Sequence, residues 1–341
     1  MTTQVAFLFP GQGSQAVGMG ADVFEASAAA RRVFEAVDEA LGFSLSTLCF
    51  QGPEDTLRAT INAQPAIVTV SLAFLAAFQE ALSAHDSAWS SPLAPAYTAG
   101  HSVGEYTALV ASGAMELKDA ALLVRERGRL MEHEGTVCPS GMAAVIGMDA
   151  EVLQEVCQQA SEQAQAELAS APGHPGLGKV VIANYNAPGQ IVISGEKRAL
   201  ELASDLARTR GAKRVIPLSV SGAFHSPVMQ PAADQMVQVL ATANLHDATI
   251  PLISNITAAP LLHAESFRPE LAQQVATSVQ WVRSIEYLVA AGVTMFIEIG
   301  PGQALTGMIK RIARGTRTLN IGTVADLEKA VALVRELNIV L

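Results

Sequence analysis

Cysteine, aromatic residues and charge are all scarce in this chain of 341 residues. The three cysteines, Cys49, Cys138 and Cys157, are too few and too scattered for a disulfide framework or a zinc site. They read as reduced thiols of a cytoplasmic protein. Basic residues are outnumbered: 22 Lys and Arg against 32 Asp and Glu give a formal charge of −10. That balance argues against nucleic acid or an anionic membrane gripped through the overall field. A membrane-length run is also missing. The longest apolar segment, residues 66–78, falls short of the roughly 20 residues a span needs, and Thr69 and Ser71 interrupt it. Apolar on nearly all sides, it predicts a helix buried in a large core. No basic stretch precedes an apolar one at the start, so no secretory leader is expected. What the chain does have is 50% hydrophobic residues at low charge density, a composition that favours a large folded core over disorder.

The order of patterns along the chain predicts an α/β fold. Residues 5–9 form a continuous apolar run closed by Pro10-Gly11, as expected of a buried parallel strand. Helical patterns follow at 22–41 and 64–83, and a loop rich in Ser, Pro and Ala at 83–95 leads into a strand at 96–99. Gly100-His101-Ser102-Val103-Gly104 then opens a helix at 103–111. Farther on come a strand at 142–148, a helix at 150–170, strands at 180–185 and 190–194, a helix at 197–210 and a strand at 214–220. This β-α-β-β-α-β order is the ferredoxin-like split motif. The expected organisation is a large domain with a parallel sheet core, residues 1–135 and 212–341, and an inserted small domain, 136–211, with a loop at 170–178. A helix at 227–243, strands at 250–254 and 294–299 and a last helix carrying Lys310 and Arg311 complete the large domain.

Gly100–Gly104 fits G-x-S-x-G, in which flanking glycines allow a sharp strand-to-helix turn that exposes the serine oxygen. The helix after it aims its free N–H groups and positive dipole end at the same place. Ser102 is therefore a candidate nucleophile, against the alternative of an inert serine in a tight turn. A base is needed, and of seven histidines His225 is the best placed. It follows a strand and the short loop Ser221–Phe224, and precedes Ser226-Pro227, a helix cap and first turn. A purely structural histidine is the alternative. In the helical stretch 120–131, Arg127 falls inside the arc of Ala120, Leu123, Val124, Leu130 and Met131, whereas Arg125 and Arg129 fall opposite. An inward guanidinium needs an anion, either an internal carboxylate or the carboxylate of a substrate. Gly11–Ala16 resembles a dinucleotide fingerprint, but no second strand with a terminal acid follows it, and no G-K-[ST] completes a P-loop. Such a loop can instead offer a backbone N–H to an oxyanion, alongside that of Val103.

Taken together, FPGQGSQ (9–15), GHSVGEY (100–106), RERGRLM (125–131), SGAFHSPVM (221–229), SVQW (278–281) and EIGPG (298–302) resemble malonyl-CoA:acyl-carrier-protein transacylases and the related acyltransferase domains of polyketide synthases. The resemblance is collinear over about residues 4–315. It implies a hydrolase-like large domain with a ferredoxin-like insert, Ser102 as nucleophile and His225 as its base and acid. It also implies an oxyanion hole from the Gln12 and Val103 N–H groups, Arg127 as the partner of the malonyl carboxylate, and the main-chain carbonyl of Gln274 orienting His225. The implied reaction is ping-pong transfer of malonyl from malonyl-CoA to the phosphopantetheine thiol of an acyl carrier protein, in fatty-acid or polyketide synthesis. No cofactor or metal is expected, and the enzyme is expected to be a cytoplasmic monomer with no nucleic-acid or membrane partner. Phe224 matches the Ala-Phe-His form of malonyl-preferring polyketide acyltransferases, and the stretches 83–95 and 163–178 are longer than expected. Because carrier proteins are acidic, Lys310 and Arg311, with Arg314 and Arg317, are candidates for docking, and Arg208, Arg210, Lys213 and Arg214 form a second group. The competing readings are a serine thioesterase or hydrolase acting on acyl-CoA, which normally uses an acid to orient its histidine, and a silent binding subunit.

Overall fold

The computed structural model describes residues 4–83, 94–169 and 176–337. Alternation along one strand sets up its layers. In β1 (Gln4–Phe9) every residue after Gln4 is buried. Val5, Phe7 and Phe9 join an apolar cluster with the helix Thr60–Ser83, while Ala6 and Leu8 join a second one with Trp281 and Ile285. Successive side chains of a strand point to opposite faces, so such a strand must be sandwiched between two layers.

The remaining strands in chain order are β2 (Tyr97–Gly100), β3 (Ser140–Ile146), β4 (Val180–Ala187), β5 (Gln190–Glu196), β6 (Arg214–Pro217), β7 (Leu252–Ile253), β8 (Pro260–Leu261), β9 (Val293–Ile299) and β10 (Arg317–Ile321). The larger sheet runs β10-β9-β1-β2-β7-β8 and is parallel except for the antiparallel edge pair β7–β8. Phe9 lies opposite Gly100, so the loops leaving β1 and β2 emerge side by side at the carboxyl edge of the sheet. That edge is where open α/β sheets build sites.

The smaller sheet, β4-β5-β3-β6, is antiparallel throughout, which is the ferredoxin-like order. Its own core forms where Leu153 and Val156 of helix Ala150–Ala169 and Ala199 and Ala203 of helix Lys197–Thr209 meet Val145 and Ile193. The sheet is pinned to the rest by residues 278–281. Val279 N–H donates to Ala183 O at 2.8 Å and Tyr185 N–H to Val279 O at 3.0 Å, while the Ser278 hydroxyl donates to Ile182 O. Trp281 is buried just beyond.

The helix expected from the apolar run at 66–78 extends over Thr60–Ser83 and is long and apolar enough to cross a membrane. Most of it is buried inside the protein, and its role is that of a core helix. Several boundaries differ from the sequence pattern for local reasons. The helix expected at 22–41 divides into Ala21–Ala26 and Ala28–Leu41. Ser27 leaves helical geometry to cap the second piece, accepting from Ala30 N–H and donating to Glu80 at 2.6 Å. The strand expected at 214–220 ends as β6 at Pro217: Leu218 N–H still donates to Met142 O at 2.9 Å, but Val220 N–H then turns back onto Leu218 O at 3.0 Å and the chain leaves the sheet. The strand expected at 250–254 is only Leu252–Ile253. The helix carrying Lys310 and Arg311, Ala304–Ile312, is not the last element: β10 and the helix Val324–Glu336 follow. Much of the two long loops, residues 84–93 and 170–175, lies outside the described residues.

Candidate active site

The turn after β2 is built by close approach. A Cβ on Gly100 would lie 1.9 Å from Gly104 O, and one on Gly104 would lie 2.3 Å from Phe9 O. Only glycine fits at either place, and the turn forces Ser102 into the left-handed region at φ 53°. Asn255, just past β7, secures the strained turn: its Oδ1 accepts from Ser102 N–H at 2.7 Å and its Nδ2 donates to Gly100 O at 2.7 Å.

His225 also sits in the left-handed region, at φ 57°. Its Nε2 is 2.8 Å from Ser102 Oγ. On the other side, Nδ1 faces the main-chain carbonyls of Gln274 at 2.8 Å and Thr277 at 3.2 Å. Two carbonyls can only accept, so Nδ1 carries the proton and Nε2 presents its lone pair to the serine hydroxyl. Burial, reinforced by the nearby Arg127 charge, pushes the imidazole down to about 3, so the ring is neutral at physiological pH.

Arg127 projects inward from helix Leu117–Val137 and is 1% exposed. Its flanking arginines behave as their position on the helix predicts. Arg129 pairs with Glu126 at the surface, and Arg125 lies 4.4 Å over the Phe43 ring. Arg127 itself reaches only neutral oxygens: Gln64 Oε1 at 2.7 Å, Gln274 Oε1 at 2.8 Å and Ser102 Oγ at 3.3 Å. Its Nε has no partner among the described residues. The internal ion pair that the sequence left open is not formed directly. A buried cation with donors to spare beside a serine hydroxyl is arranged to receive an anion.

The backbone N–H groups of Gln12 and Val103 donate to no protein acceptor among the described residues, and Val103 caps the helix Gly104–Ala111. The Gln12 side chain is turned aside, donating to Thr60 Oγ1 at 3.3 Å. Gln12 and Ser102 border a cleft of about 420 Å³ between the two sheets. His101, Asn184, Asn186, Phe224 and Met308 also line it. His101 turns away from Ser102, bonded to Asn186 Oδ1 at 2.8 Å and packed edge-on to Trp281. Lys310 and Arg311 lie apart from the reacting groups, both exposed, on the helix that supplies Met308 to the cleft. The Arg311 guanidinium is already engaged, by Pro188 O and by Gln190 Oε1 at 2.7 Å, on the turn between β4 and β5. Among the described residues no group of three or more His, Cys, Asp or Glu could hold a metal ion.

Residues 6–333 match the acyl transferase domain family. The chain belongs to that family. The acyltransferase is 43% identical to the malonyl CoA-acyl carrier protein transacylase of Bacillus subtilis strain 168, over 98% of this chain and 99% of that protein. It is 39% identical to the protein of that name from Escherichia coli K12, over 91% and 93% of the two chains. Among solved structures, an acyl-carrier-protein S-malonyltransferase from Bartonella henselae superposes with a TM-score of 0.87 at 40% identity, covering 98% of this chain and all of that one. A malonyl-transacylase bound to a type II polyketide-synthase acyl carrier protein gives 0.87 at 35% identity over 97% of this chain.

Sequence reasoning missed the second rank of the acyltransferase site: Asn255, Gln64, the Thr277 carbonyl and the side chain of Gln274. Two signals were present. Asn255 stands at the end of a predicted strand, and Glu105 is an acid at the start of an otherwise apolar helix that proves completely buried.

Proposed function

We propose that this acyltransferase moves the malonyl group of malonyl-CoA to the phosphopantetheine thiol of an acyl carrier protein, through a malonyl ester on Ser102. One observation carries the reading: Ser102 Oγ lies between a neutral imidazole, His225 Nε2 at 2.8 Å, and a buried cation, Arg127 Nη2 at 3.3 Å, that reaches only neutral oxygens. A base poised on a nucleophile makes an acyl-enzyme, and an uncommitted guanidinium beside it selects an acyl group that ends in a carboxylate.

His225 Nε2 takes the hydroxyl proton as Ser102 Oγ attacks the thioester carbon. The carbonyl oxygen becomes an oxyanion facing the N–H groups of Gln12 and Val103. Collapse expels the coenzyme A thiolate, which receives the proton from His225 and leaves as the thiol. In the second half, the carrier thiol gives its proton to His225 and attacks the ester. Ser102 departs as alkoxide and regains its proton from the imidazolium. The Gln274 and Thr277 carbonyls keep Nδ1 protonated throughout and stabilise the ring while it is charged.

In this reading the inserted domain that walls the cleft runs past the boundary expected at 211 to the end of β6 at Pro217, because β6 pairs with β3, and residues 1–135 with those after 217 form the catalytic domain, working in the cytoplasm. Lys310, with Arg311 beside it on the helix that supplies Met308 to the cleft, meets the incoming acidic carrier protein. The test is intact-protein mass spectrometry after mixing with malonyl-CoA. The expected result is a malonyl adduct that persists until carrier protein is added, is absent in S102A, and then appears on the carrier. Release of free malonate at the same rate without carrier would identify a hydrolase instead.

A further inference from the structure

Behind Arg127 and Ser102 lies a buried acidic pair that the transfer steps do not use. Glu105 is completely buried, and Glu270, from helix Ala264–Gln274, is 7% exposed. Their carboxyl groups are in hydrogen-bond contact. Glu105 Oε1 accepts from Asn255 N–H at 3.2 Å and Glu270 Oε1 from Ile256 N–H at 3.1 Å, so adjacent backbone donors hold both. Two touching carboxyls in a dry interior cannot both ionise. Burial raises both groups above the usual carboxylate range, Glu105 the more strongly, with the Glu270 charge adding to it. A proton is therefore held between the two carboxyls, which leaves the pair at most one negative charge.

The connection to Arg127 is the Gln274 side chain. A guanidinium only donates, so the amide oxygen must face it. The amide nitrogen is then turned the other way, where it donates to Ser102 O at 3.0 Å and to Glu105 Oε2. Glu105 accepts on both oxygens, from Asn255 and from Gln274, a pattern that a side-chain amide with one oxygen cannot reproduce.

We propose that Glu105 and Glu270 are positioning residues for recognition of the acyl carboxylate: they fix the Gln274 amide with its oxygen on Arg127 and keep the balancing negative charge one side chain away from the guanidinium. Arg127 thus enters the reaction oriented yet not neutralised by direct contact. A carboxylate placed against Arg127 itself would compete with the substrate. No charge at all would leave a buried cation unbalanced. The inference rests on the reading of Arg127 as the group that receives the malonyl carboxylate.

The experiment compares acylation of Ser102 by malonyl-CoA and by acetyl-CoA in wild type, E105Q, E270Q, R127A and the double variant E105Q/R127A. In E105Q an amide must turn an N–H toward Asn255 or Gln274, which lets the Gln274 amide reverse. In E270Q Glu105 loses the carboxyl partner that shares its proton, and its hold on the Gln274 amide loosens. Both should raise the KM for malonyl-CoA about tenfold, leave kcat nearly intact, and change acetyl-CoA acylation little. Added to R127A, E105Q should cost malonyl transfer nothing further, the mark of two residues acting through one contact. Equal losses with both donors, additivity in the double variant, or wild-type kinetics in both single variants would overturn the proposal. If E105Q does not fold, as judged by thermal unfolding, E270Q decides the question by the same criteria. R127A that keeps a wild-type malonyl preference would instead sink the parent reading, whatever the two glutamate variants do.

Discussion

Asn255 Oδ1 accepts the backbone N–H of Ser102 at 2.7 Å, across 153 positions of sequence. The same side chain donates to Gly100 O, so one amide spans the turn that holds Ser102 at φ 53°. Truncation strands a buried donor and a buried acceptor on strained backbone. N255A should lose about 1–3 kcal/mol of stability and slow Ser102 acylation by about tenfold or more. Thermal unfolding and the rate of adduct formation read the two effects, and a variant that acylates at the wild-type rate would show that the turn holds itself.

Arg127 is the second test. Loss of the guanidinium should reduce kcat/KM for malonyl-CoA by about 10²-fold, as expected for contacts between charged groups at roughly 1.5–3 kcal/mol each. Acetyl-CoA has no carboxylate to leave unpaired and should react as well as before or better. R127K should not restore malonyl transfer, because one ammonium cannot reach Gln64 and Gln274 and also a carboxylate with the geometry of a planar fork. Donor competition read on the carrier protein by mass checks both variants.

A third prediction concerns pH. The folded imidazole of His225 titrates at about 3, below the ordinary value near 6.5. Between these values the unfolded chain binds a proton that the folded enzyme refuses. The contribution of this residue to stability is therefore complete above about pH 6.5 and lost as pH falls toward 3. Activity follows the folded value instead. The acid limb of kcat/KM for acylation should lie well below 6.5, with melting temperature already falling where the base is still competent. An acid limb at the ordinary histidine value would contradict this.

Docking supplies the fourth. Lys310 is exposed on helix Ala304–Ile312, whose Met308 lines the cleft. K310E should raise KM for the carrier protein several-fold at low salt and leave acylation from malonyl-CoA unchanged, with the difference fading as salt screens the interaction. Equal loss in both half-reactions would place Lys310 outside any docking surface. Arg311 is a poorer probe, since its bonds to Pro188 and Gln190 tie the helix to the small sheet.

The parts of the site that sequence reveals are those written in local pattern. Ser102 is visible because glycines bracket it, Arg127 because 100° per residue turns it into an apolar arc, and His225 because a strand and a helix cap bracket it. Alternating β, α and β segments likewise expose the ferredoxin-like order. Asn255, Gln64 and the Gln274 side chain have no such signature. Their partners lie far along the chain, and only the strand end before Asn255 marks any of them. In the fold, the same limit hides the short helices Leu45–Gln51 and Glu54–Arg58, which rest on tertiary contacts. Ser27 is a different case. It redraws a boundary through its own chemistry, as a cap, and could be read as such.

The segment from Gln274 to Val279 touches His225 at one end and β4 at the other. The base and the wall of the cleft thus hang from one short length of chain, as two pans hang from one beam. An inserted or deleted residue there would shift the carbonyls that seat the His225 imidazole and the register of the small sheet together, so this segment should tolerate changes of composition at its surface but none of length.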